Sequence, residues 1–263
     1  MVTEDRETQI VQAAELIAEV GQTVVFTGAG VSTESGIPDF RSPGGLWSRF
    51  DQADFTIDRY IASPQARQKH WRFLMAGGLF KNCEPNAAHR AIAELEALGL
   101  LDCIITQNID NLHQKAGNVP ERVFELHGNM RWIRCLDCGN RFPLEEILDQ
   151  SGASAEAPPC MHCGGILKPD VIFFGEALPE EILEEATRRA IRCELMIVVG
   201  SSLVVYPAAY MPAYAKQSGA KLVIVNLTPT PADEMADLVI HGSAGEVMGR
   251  LVAEVRRRFP GSA

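Results

Sequence analysis

The feature that most constrains the fold is a short apolar run followed at once by a glycine-rich segment. The run covers residues 23–26 and reads Thr-Val-Val-Phe, which is typical of a strand covered on both faces in a parallel sheet. Residues 27–41 follow, with glycine at Gly28 and Gly30. We expect these glycines to permit a tight turn and the close approach of backbone N–H groups to an anion. The chain thus predicts a parallel α/β fold with a ligand-binding loop after its first strand.

The glycine-rich segment departs from the dinucleotide fingerprint of dehydrogenases. Thr33 stands where the fingerprint has its third glycine, and no clear strand ending in an acidic residue follows about 20 residues on. Instead, Phe40 and Arg41 bring an aromatic ring and a guanidinium to the same loop. A plain turn explains a lone Gly-x-Gly equally well, but the combination indicates a nucleotide cofactor used for chemistry other than hydride transfer.

The rest of the chain alternates strand and helix patterns. Strands are predicted over 101–106, 123–126, 195–199, 222–225 and 238–241, and helices over 7–20, 57–61, 64–75, 86–98, 180–191, 208–217 and from 245 onward. This order predicts a doubly wound, mostly parallel Rossmann-like sheet. Polar segments follow several strands, at 107–113, 127–129, 200–202 and Asn226. Because ligands bind beyond the carboxyl ends of parallel strands, we expect these segments to form one site.

Two Cys-x-x-Cys pairs interrupt this alternation. They are Cys135 with Cys138 and Cys160 with Cys163. Four thiolates on this spacing predict one tetrahedral structural zinc, whereas a redox dithiol explains only one pair. His162 lies inside the second pair and is expected to be a bystander. Metal binding by four of the seven cysteines also favours a reducing compartment over disulfides.

The overall charge limits the classes of partner. Lys and Arg total 24 against 34 for Asp and Glu, a formal net charge of −10, which argues against non-specific binding to nucleic acid. The sequence shows no secretory leader and no run of 18 apolar residues. We therefore expect a cytoplasmic protein with no nucleic-acid or membrane partner.

Several blocks of the chain together resemble the sirtuin family. They are residues 28–41, 106–110, 127–128, the cysteine pairs, 171–176, 200–207 and 225–227, and the similarity runs from about residue 10 to 255. The resemblance implies an NAD-dependent protein-lysine deacylase, which moves the acyl group of lysine to ADP-ribose and releases nicotinamide. It also implies a larger NAD-binding domain formed by 1–35, 84–127 and 170–263. A helical insertion at 36–83 and a zinc ribbon at 128–169 would form a smaller domain.

The resemblance also assigns roles to individual residues. It implies that the cofactor is contacted by Gly28, Ala29, Gly30, Thr33, Ile37, Phe40, Arg41, Gln107, Asn108, Ile109, Asp110, Gly200, Ser201, Ser202, Asn226, Leu227, Ser243 and Ala244. Asn108 and Asp110 belong to the nicotinamide pocket and are expected to take part in catalysis, with Asp110 accepting from the carboxamide. His127 matches the general base that activates a ribose hydroxyl, a task that suits an imidazole with a pKa near 6.5. Gln107 is expected to orient the ribose or the histidine.

The substrate is implied to be an acyl-lysine protein or peptide that adds as a strand between two segments. One segment contributes Val171, Phe173 and Gly175, and the other contributes Leu203 and Val204. One branch of the family removes negatively charged acyl groups with a Tyr and an Arg three positions apart. Trp71 and Leu74 stand at those places, so we expect a preference for acetyl and other neutral groups, with a pocket drawn partly from Trp71, Phe73 or Leu74.

Two other functions remain open at this stage. Protein mono-ADP-ribosyl transfer would use the same cofactor residues with a different acceptor. A zinc-ribbon module that senses a nucleotide without turnover would need no general base, so His127 would be a structural histidine and Asp110 a turn residue. Release of nicotinamide with and without an acyl-peptide distinguishes the three functions.

Overall fold

The computed structural model describes residues 2–80, 82–151 and 158–258. Its strands are β1 Thr23–Thr27, β2 Leu101–Thr106, β3 Val123–Glu125, β4 Gly128–Cys135, β5 Arg141–Pro143, β6 Leu167–Val171, β7 Leu195–Val199, β8 Lys221–Asn226 and β9 Leu238–His241. Its α-helices are α1 Val2–Glu19, α2 Ile57–Ala62, α3 Pro64–Met75, α4 Ala87–Ala97, α5 Leu112–Ala116, α6 Leu144–Ser151, α7 Glu180–Arg192, α8 Met211–Gln217 and α9 Ala244–Arg258. The glycine-rich segment forms a 3-10 turn over Ala29–Ser35.

The larger sheet has six strands in the order β3-β2-β1-β7-β8-β9, and the pairs are parallel throughout. Strand β1 comes first in the chain. Strands β2 and β3 then add on one side of it, and β7, β8 and β9 add on the other. The switch in direction therefore falls at β1, where open α/β sheets bind their ligands. This topology confirms the doubly wound prediction.

Both faces of the larger sheet are covered by helices. One apolar layer joins α1, α4 and α9 to side chains such as Val25 and Ile104, and α1 contributes Ile10, Ala13, Ala14 and Ile17 at helical spacing. The opposite layer joins α7 and α8 to Phe26 and Ile105. Burial on both faces explains why these strands are continuous apolar runs.

A second sheet contains the cysteine pairs. It is antiparallel, in the order β5-β4-β6, and α6 packs beside it. The sequence predicted no strands here, because β5 has only three residues and β4 pairs with β6 from beyond the second cysteine pair. Residues 128–151 and 158–169 are called the cysteine module.

Helix α3 from the helical insertion contributes to the core of the cysteine module. Trp71 and Leu74 are buried in one apolar cluster with Ile133, Cys135 and Phe142. Both side chains thus pack against the cysteine module, and the contribution of Trp71, Phe73 or Leu74 to an acyl pocket stays a prediction. Phe73 is half-buried, with its ring 5.3 Å from that of Phe50.

Helix α2 makes a further link, since the Tyr60 hydroxyl donates to the carbonyl oxygen of Leu167 at 2.7 Å. These contacts support our proposal that the two insertions form one smaller domain, although Met1, Lys81, residues 152–157 and residues 259–263 of the proposed ranges lie outside the described residues. None of the helices in the described ranges combines the length and the apolar character needed to cross a membrane.

Candidate functional site

The polar segments predicted at the strand ends meet at one edge of the larger sheet. Gln107 follows β2, His127 lies just after β3, and Gly200 follows β7. Backbone hydrogen bonds hold the neighbouring ends together: Gln107 N donates to Thr27 O at 3.0 Å. The side-chain amide of Gln107 donates to Ser201 Oγ at 2.8 Å. Residues from three strands thus line a common crevice at the switch point of the sheet.

Gly28 and Gly30 of the opening loop make close backbone contacts with the segment that follows β7. The N–H groups of Gly28 and Gly30 donate to Val199 O at 3.2 Å and to Gly200 O at 2.8 Å, so they are already used within the chain. A Cβ on Gly30 would lie 2.7 Å from Gly200 O, and one on Gly200, where φ is +62°, would lie 2.3 Å from Val31 N. The glycines are therefore required because two loops touch through their backbones.

One ring nitrogen of His127 is held by a backbone carbonyl. Its Nδ1 lies 3.0 Å from the carbonyl oxygen of Gln107, which can only accept, so Nδ1 carries the proton and Nε2 is the unprotonated nitrogen of the neutral ring. Burial lowers the pKa of His127, and the hydrogen bond to Gln107 opposes that shift. The expected link between Gln107 and the histidine exists, but it runs through the backbone carbonyl.

Ser32 is a functional residue that the sequence reasoning missed. It is 1% exposed, and its hydroxyl donates to Asp110 Oδ2 at 2.7 Å and accepts from Asn108 Nδ2 at 3.1 Å. Asp110 Oδ1 accepts from Leu112 N at 2.9 Å, and burial raises the pKa of Asp110. The two predicted pocket residues are thus oriented by one hydroxyl, whose only sequence signal is its place inside the glycine-rich segment.

Two histidines lie behind Ser32. His89 Nε2 is 3.4 Å from Ser32 Oγ, and His113 Nε2 is 3.0 Å from Thr27 Oγ1. Burial lowers the pKa of His89 to about 4 and that of His113 well below its usual value. Both rings are therefore neutral near pH 7, and they support the site from within the core.

Glu34 connects the glycine-rich segment to the start of α9. Its carboxylate accepts from the Ser243 hydroxyl at 3.2 Å and from the backbone N–H of Gly245. Ser243 and Ala244, predicted to cover the adenine, are thereby held beside the opening loop, with Ala244 buried. An anion at a helix N-terminus is also favourable by itself.

The remaining predicted cofactor residues differ in accessibility. Arg41, Ser202 and Leu227 are exposed, and Thr33 is exposed with its hydroxyl on Gly30 O at 3.0 Å. Phe40 is exposed at 36%, and the others, Ala29, Ile37, Ile109 and Asn226, are partly or fully buried. The exposed set thus includes the Arg41 guanidinium and the apolar Leu227 side chain, whereas the amide of Asn226 is buried.

The predicted peptide-binding residues lie at the end of β6 and in the loops that follow β6 and β7. Val171 ends β6, and Phe173 and Gly175 follow it; Phe173 is buried, whereas Phe174 is 46% exposed. We call residues 171–176 the 171–176 loop. Ile172 N donates to His127 O at 2.9 Å, which places this loop beside the histidine. Leu203 is buried and Val204 is 43% exposed, in the segment after Ser202.

The four cysteines of the two pairs converge as predicted. Their sulfur atoms all lie within 4.8 Å of one another, with Cys135 Sγ 3.5 Å from Cys163 Sγ and Cys138 Sγ 3.8 Å from Cys160 Sγ. Tetrahedral zinc with bonds of about 2.3 Å sets sulfur atoms about 3.8 Å apart, so the group fits that ion.

The turns around the cysteines match each other. Gly139 N donates to Cys135 O at 3.0 Å, and Gly164 N donates to Cys160 O at 2.8 Å. Both glycines adopt the left-handed conformation, with φ of +72° and +73°. His162 stacks on Phe142 with ring centroids 5.9 Å apart and is not among the four converging ligands.

Fold and site together define a class of protein. It is a doubly wound α/β protein with polar strand ends gathered at its switch point, a half-buried imidazole among them, and a separate four-thiol module suited to a metal. The Sir2 family model matches residues 28–207. The chain belongs to the Sir2 family, the sirtuins.

Individual relatives agree with this membership. NAD-dependent protein deacylase 2 of Archaeoglobus fulgidus is 47% identical over 253 residues, covering 95% of this chain and 98% of the relative. NAD-dependent protein deacetylase of Thermodesulfovibrio yellowstonii is 48% identical, covering 91% and 93%. A solved Sir2 complex with a p53 peptide and NAD⁺ aligns with a TM-score of 0.82 at 42% identity, covering 91% of this chain and 95% of that one.

Proposed function

We propose that this protein is an NAD-dependent protein-lysine deacylase that acts on acetyl-lysine in peptides or proteins. The observation that carries the proposal is the geometry of His127, whose unprotonated Nε2 is fixed by the Nδ1 hydrogen bond to Gln107 O. The relatives named deacylase and deacetylase, and the Sir2 complex with a peptide and NAD⁺, support the same activity.

The donor set of the crevice fits NAD. We assign the phosphates and riboses to the hydroxyl, amide and guanidinium groups around the strand ends, with Arg41 the exposed cation. Ser32 holds Asn108 and Asp110 in orientations suited to a carboxamide, because an amide side chain and a carboxylate offer both an acceptor and a donor. The remaining cofactor contacts proposed here are Gly28, Ala29, Gly30, Thr33, Ile37, Phe40, Gln107, Ile109, Gly200, Ser201, Ser202, Asn226, Leu227, Ser243 and Ala244.

The chain's own residues would contribute to the reaction as follows. NAD, when bound, supplies the ribose carbon that accepts the acyl oxygen, together with nicotinamide as the leaving group. Asn108 and Asp110 hold the carboxamide, and His127 removes a proton at Nε2 from a hydroxyl held beside it. The carbonyl of Gln107 then stabilises the imidazolium through the Nδ1–H bond. The acyl-lysine segment would lie between the 171–176 loop and Leu203 with Val204, next to His127.

The four cysteines are assigned to one structural zinc. A four-thiolate set leaves no coordination position for water or substrate, so the metal would maintain the cysteine module and take no part in the reaction.

Nicotinamide release tests the function directly. With NAD and an acetyl-lysine peptide, we expect nicotinamide, free lysine and acetylated ADP-ribose in equal amounts, and little release when the peptide is omitted. Transfer of ADP-ribose to protein with no dependence on the acetyl group would instead show a mono-ADP-ribosyltransferase. Binding of NAD with no release under either condition would show a nucleotide sensor.

The pH dependence follows from the burial of His127. Its pKa is lowered from the ordinary value of 6.5, and the base acts in its neutral form, so activity should persist below the pH at which a free imidazole protonates. We expect the acid limb of kcat/KM, measured for the acetyl-peptide at saturating NAD from pH 5 to 9, to have its midpoint below 6.5. A midpoint above 6.5 would contradict this environment for the base.

The acyl preference follows from the residues on α3. Trp71 and Leu74 are buried among apolar side chains, and the exposed Arg72 lies outside that cluster. A carboxylate buried without a partner costs several kcal/mol. We expect kcat/KM for a succinyl-lysine peptide to fall at least about tenfold below that for the acetyl peptide, because each factor of ten needs only about 1.4 kcal/mol.

A matched substrate separates charge from size in this comparison. The neutral amide of the succinyl group has the same length as the acid, so it should be used better than succinyl if charge decides. A succinyl peptide that turns over faster than acetyl or butyryl would show that the alignment with the acid-specific branch is wrong.

A further inference from the structure

Lys168 is a buried lysine that the proposed reaction does not use. It lies on β6, and its side chain is 4% exposed. Its ammonium donates to the carbonyl oxygens of Val171 and, at 3.2 Å, Pro169. It forms an ion pair with Glu176 at 2.9 Å and lies 4.5 Å from the centre of the Phe173 ring. Three of these four contacts are made to the 171–176 loop.

Glu176 completes a closed arrangement. The carboxylate that pairs with Lys168 also accepts from the backbone N–H of Phe173 at 2.7 Å, and Glu176 N donates to Phe173 O at 3.0 Å. The loop is therefore fixed at both ends, through the Val171 carbonyl and the Glu176 carboxylate, by one ammonium group. Tyr60 and His70 hold the Phe173 ring in place, with centroids 5.3 and 5.1 Å away.

General stabilisation of the fold does not explain why this ion pair is buried. Burial lowers the pKa of Lys168, whereas the carboxylate of Glu176 raises it, so the charged lysine depends on its partner. A buried ion pair commonly contributes little net stability compared with apolar residues of similar size, and its best-supported use is to specify one arrangement over others. Here the arrangement that it specifies is that of a loop beside His127.

We propose that Lys168 and Glu176 are positioning residues that hold the backbone of the 171–176 loop in register with the acyl-lysine peptide. The proposal rests on the proposed function, because that function places the peptide against this loop. Main-chain hydrogen bonds to an added strand depend strongly on alignment, and a displacement of about 1 Å can cost about a hundredfold in rate. The pair would therefore set peptide affinity without touching the peptide or NAD.

Steady-state kinetics on Lys168→Met and Glu176→Gln test this role. Glu176→Gln removes the charge but keeps an oxygen that can accept from Phe173 N. We expect each variant to raise the KM for the acetyl-peptide by about tenfold or more, with the KM for NAD unchanged. Because the two residues act as one pair, the double variant should be no worse than the more affected single variant.

Asp170→Asn is the matched control. Asp170 lies on the same strand and is paired with Arg134 and Arg141, which belong to β4 and β5 and have exposed side chains. Losing this pair should leave the peptide KM at the wild-type value. Thermal unfolding and zinc content of each variant verify that it is folded; should Lys168→Met fail to fold, Glu176→Gln decides the question.

A modified peptide gives a readout that loss of stability alone would not produce. N-methylation of the backbone amide next to the acetyl-lysine removes a strand hydrogen bond, and it should weaken binding to the wild type more than to the variants. Unchanged peptide KM in a folded Glu176→Gln, or equal methylation effects in all proteins, would overturn the proposal. A wild type without deacetylase activity would instead overturn the proposed function.

Discussion

Replacing His127 by alanine is expected to lower deacetylation by about 10²- to 10⁴-fold, the usual contribution of a general base. The ring is partly buried at a strand end and makes a single described side-chain hydrogen bond, to Gln107 O, so its loss should affect the fold little. NAD affinity should stay near the parent value. The measurement is kcat/KM for an acetyl-peptide, together with NAD binding and thermal unfolding of the variant.

His241→Ala is the control for this experiment. His241 also ends a strand of the same sheet and also bonds a backbone carbonyl through Nδ1, to Asn226 O at 3.2 Å, but its side chain is exposed and lies beyond β8. We expect turnover near that of the parent. A general base contributes far more than threefold to the rate. If folded His127→Ala kept activity within about threefold of the parent, the assignment of His127 as the base would be wrong.

Removal of the metal is expected to have the largest effect on stability. Structural zinc sites in small peptides contribute about 10–16 kcal/mol of apparent binding free energy, and the unfolded chain has no preformed site. The cysteine module has only a three-stranded sheet and one small apolar cluster, so we expect it to unfold when zinc is chelated. Because Trp71 and Leu74 lie in that cluster, α3 should lose its packing as well.

Metal analysis and unfolding measurements check this prediction. The purified protein should contain one zinc per chain, and Cys135→Ser should lose the metal and the cooperative transition of the module. Cys193→Ser is a suitable comparison, since Cys193 lies in the apolar layer of the larger sheet and bonds Ala190 O through a hydrogen bond that serine can replace. A protein without zinc, or a water bound to the metal, would refute the four-thiolate assignment.

The larger sheet could be predicted from the sequence because its strands are buried on both faces. Mostly apolar runs such as β2 and β7 stand out from the chain, and the structure places both within the predicted bounds. The cysteine pairs could be predicted to converge because the spacing of thiols restricts the geometry strongly. These signals are local, and each depends on few other parts of the chain.

Features that depend on distant contacts could not be predicted in this way. Ser32 and Glu34 read as ordinary polar loop residues, and their partners lie 57 or more positions away in the chain. The burial of Trp71 likewise requires the module against which it packs. Sequence patterns identify which side chains bear chemistry, but the hydrogen bonds that orient them depend on the assembled fold.

The backbone contact between Gly30 and Gly200 makes the nucleotide end of the crevice less tolerant of substitution than the peptide end. No side chain separates the two loops there, so neither rotamer changes nor single substitutions can adjust that gap. The 171–176 loop is held by side chains instead, and side chains can be exchanged one at a time. Amino-acid substitutions can therefore accumulate at the peptide end of the crevice during evolution. The backbone contact at the nucleotide end stays the same.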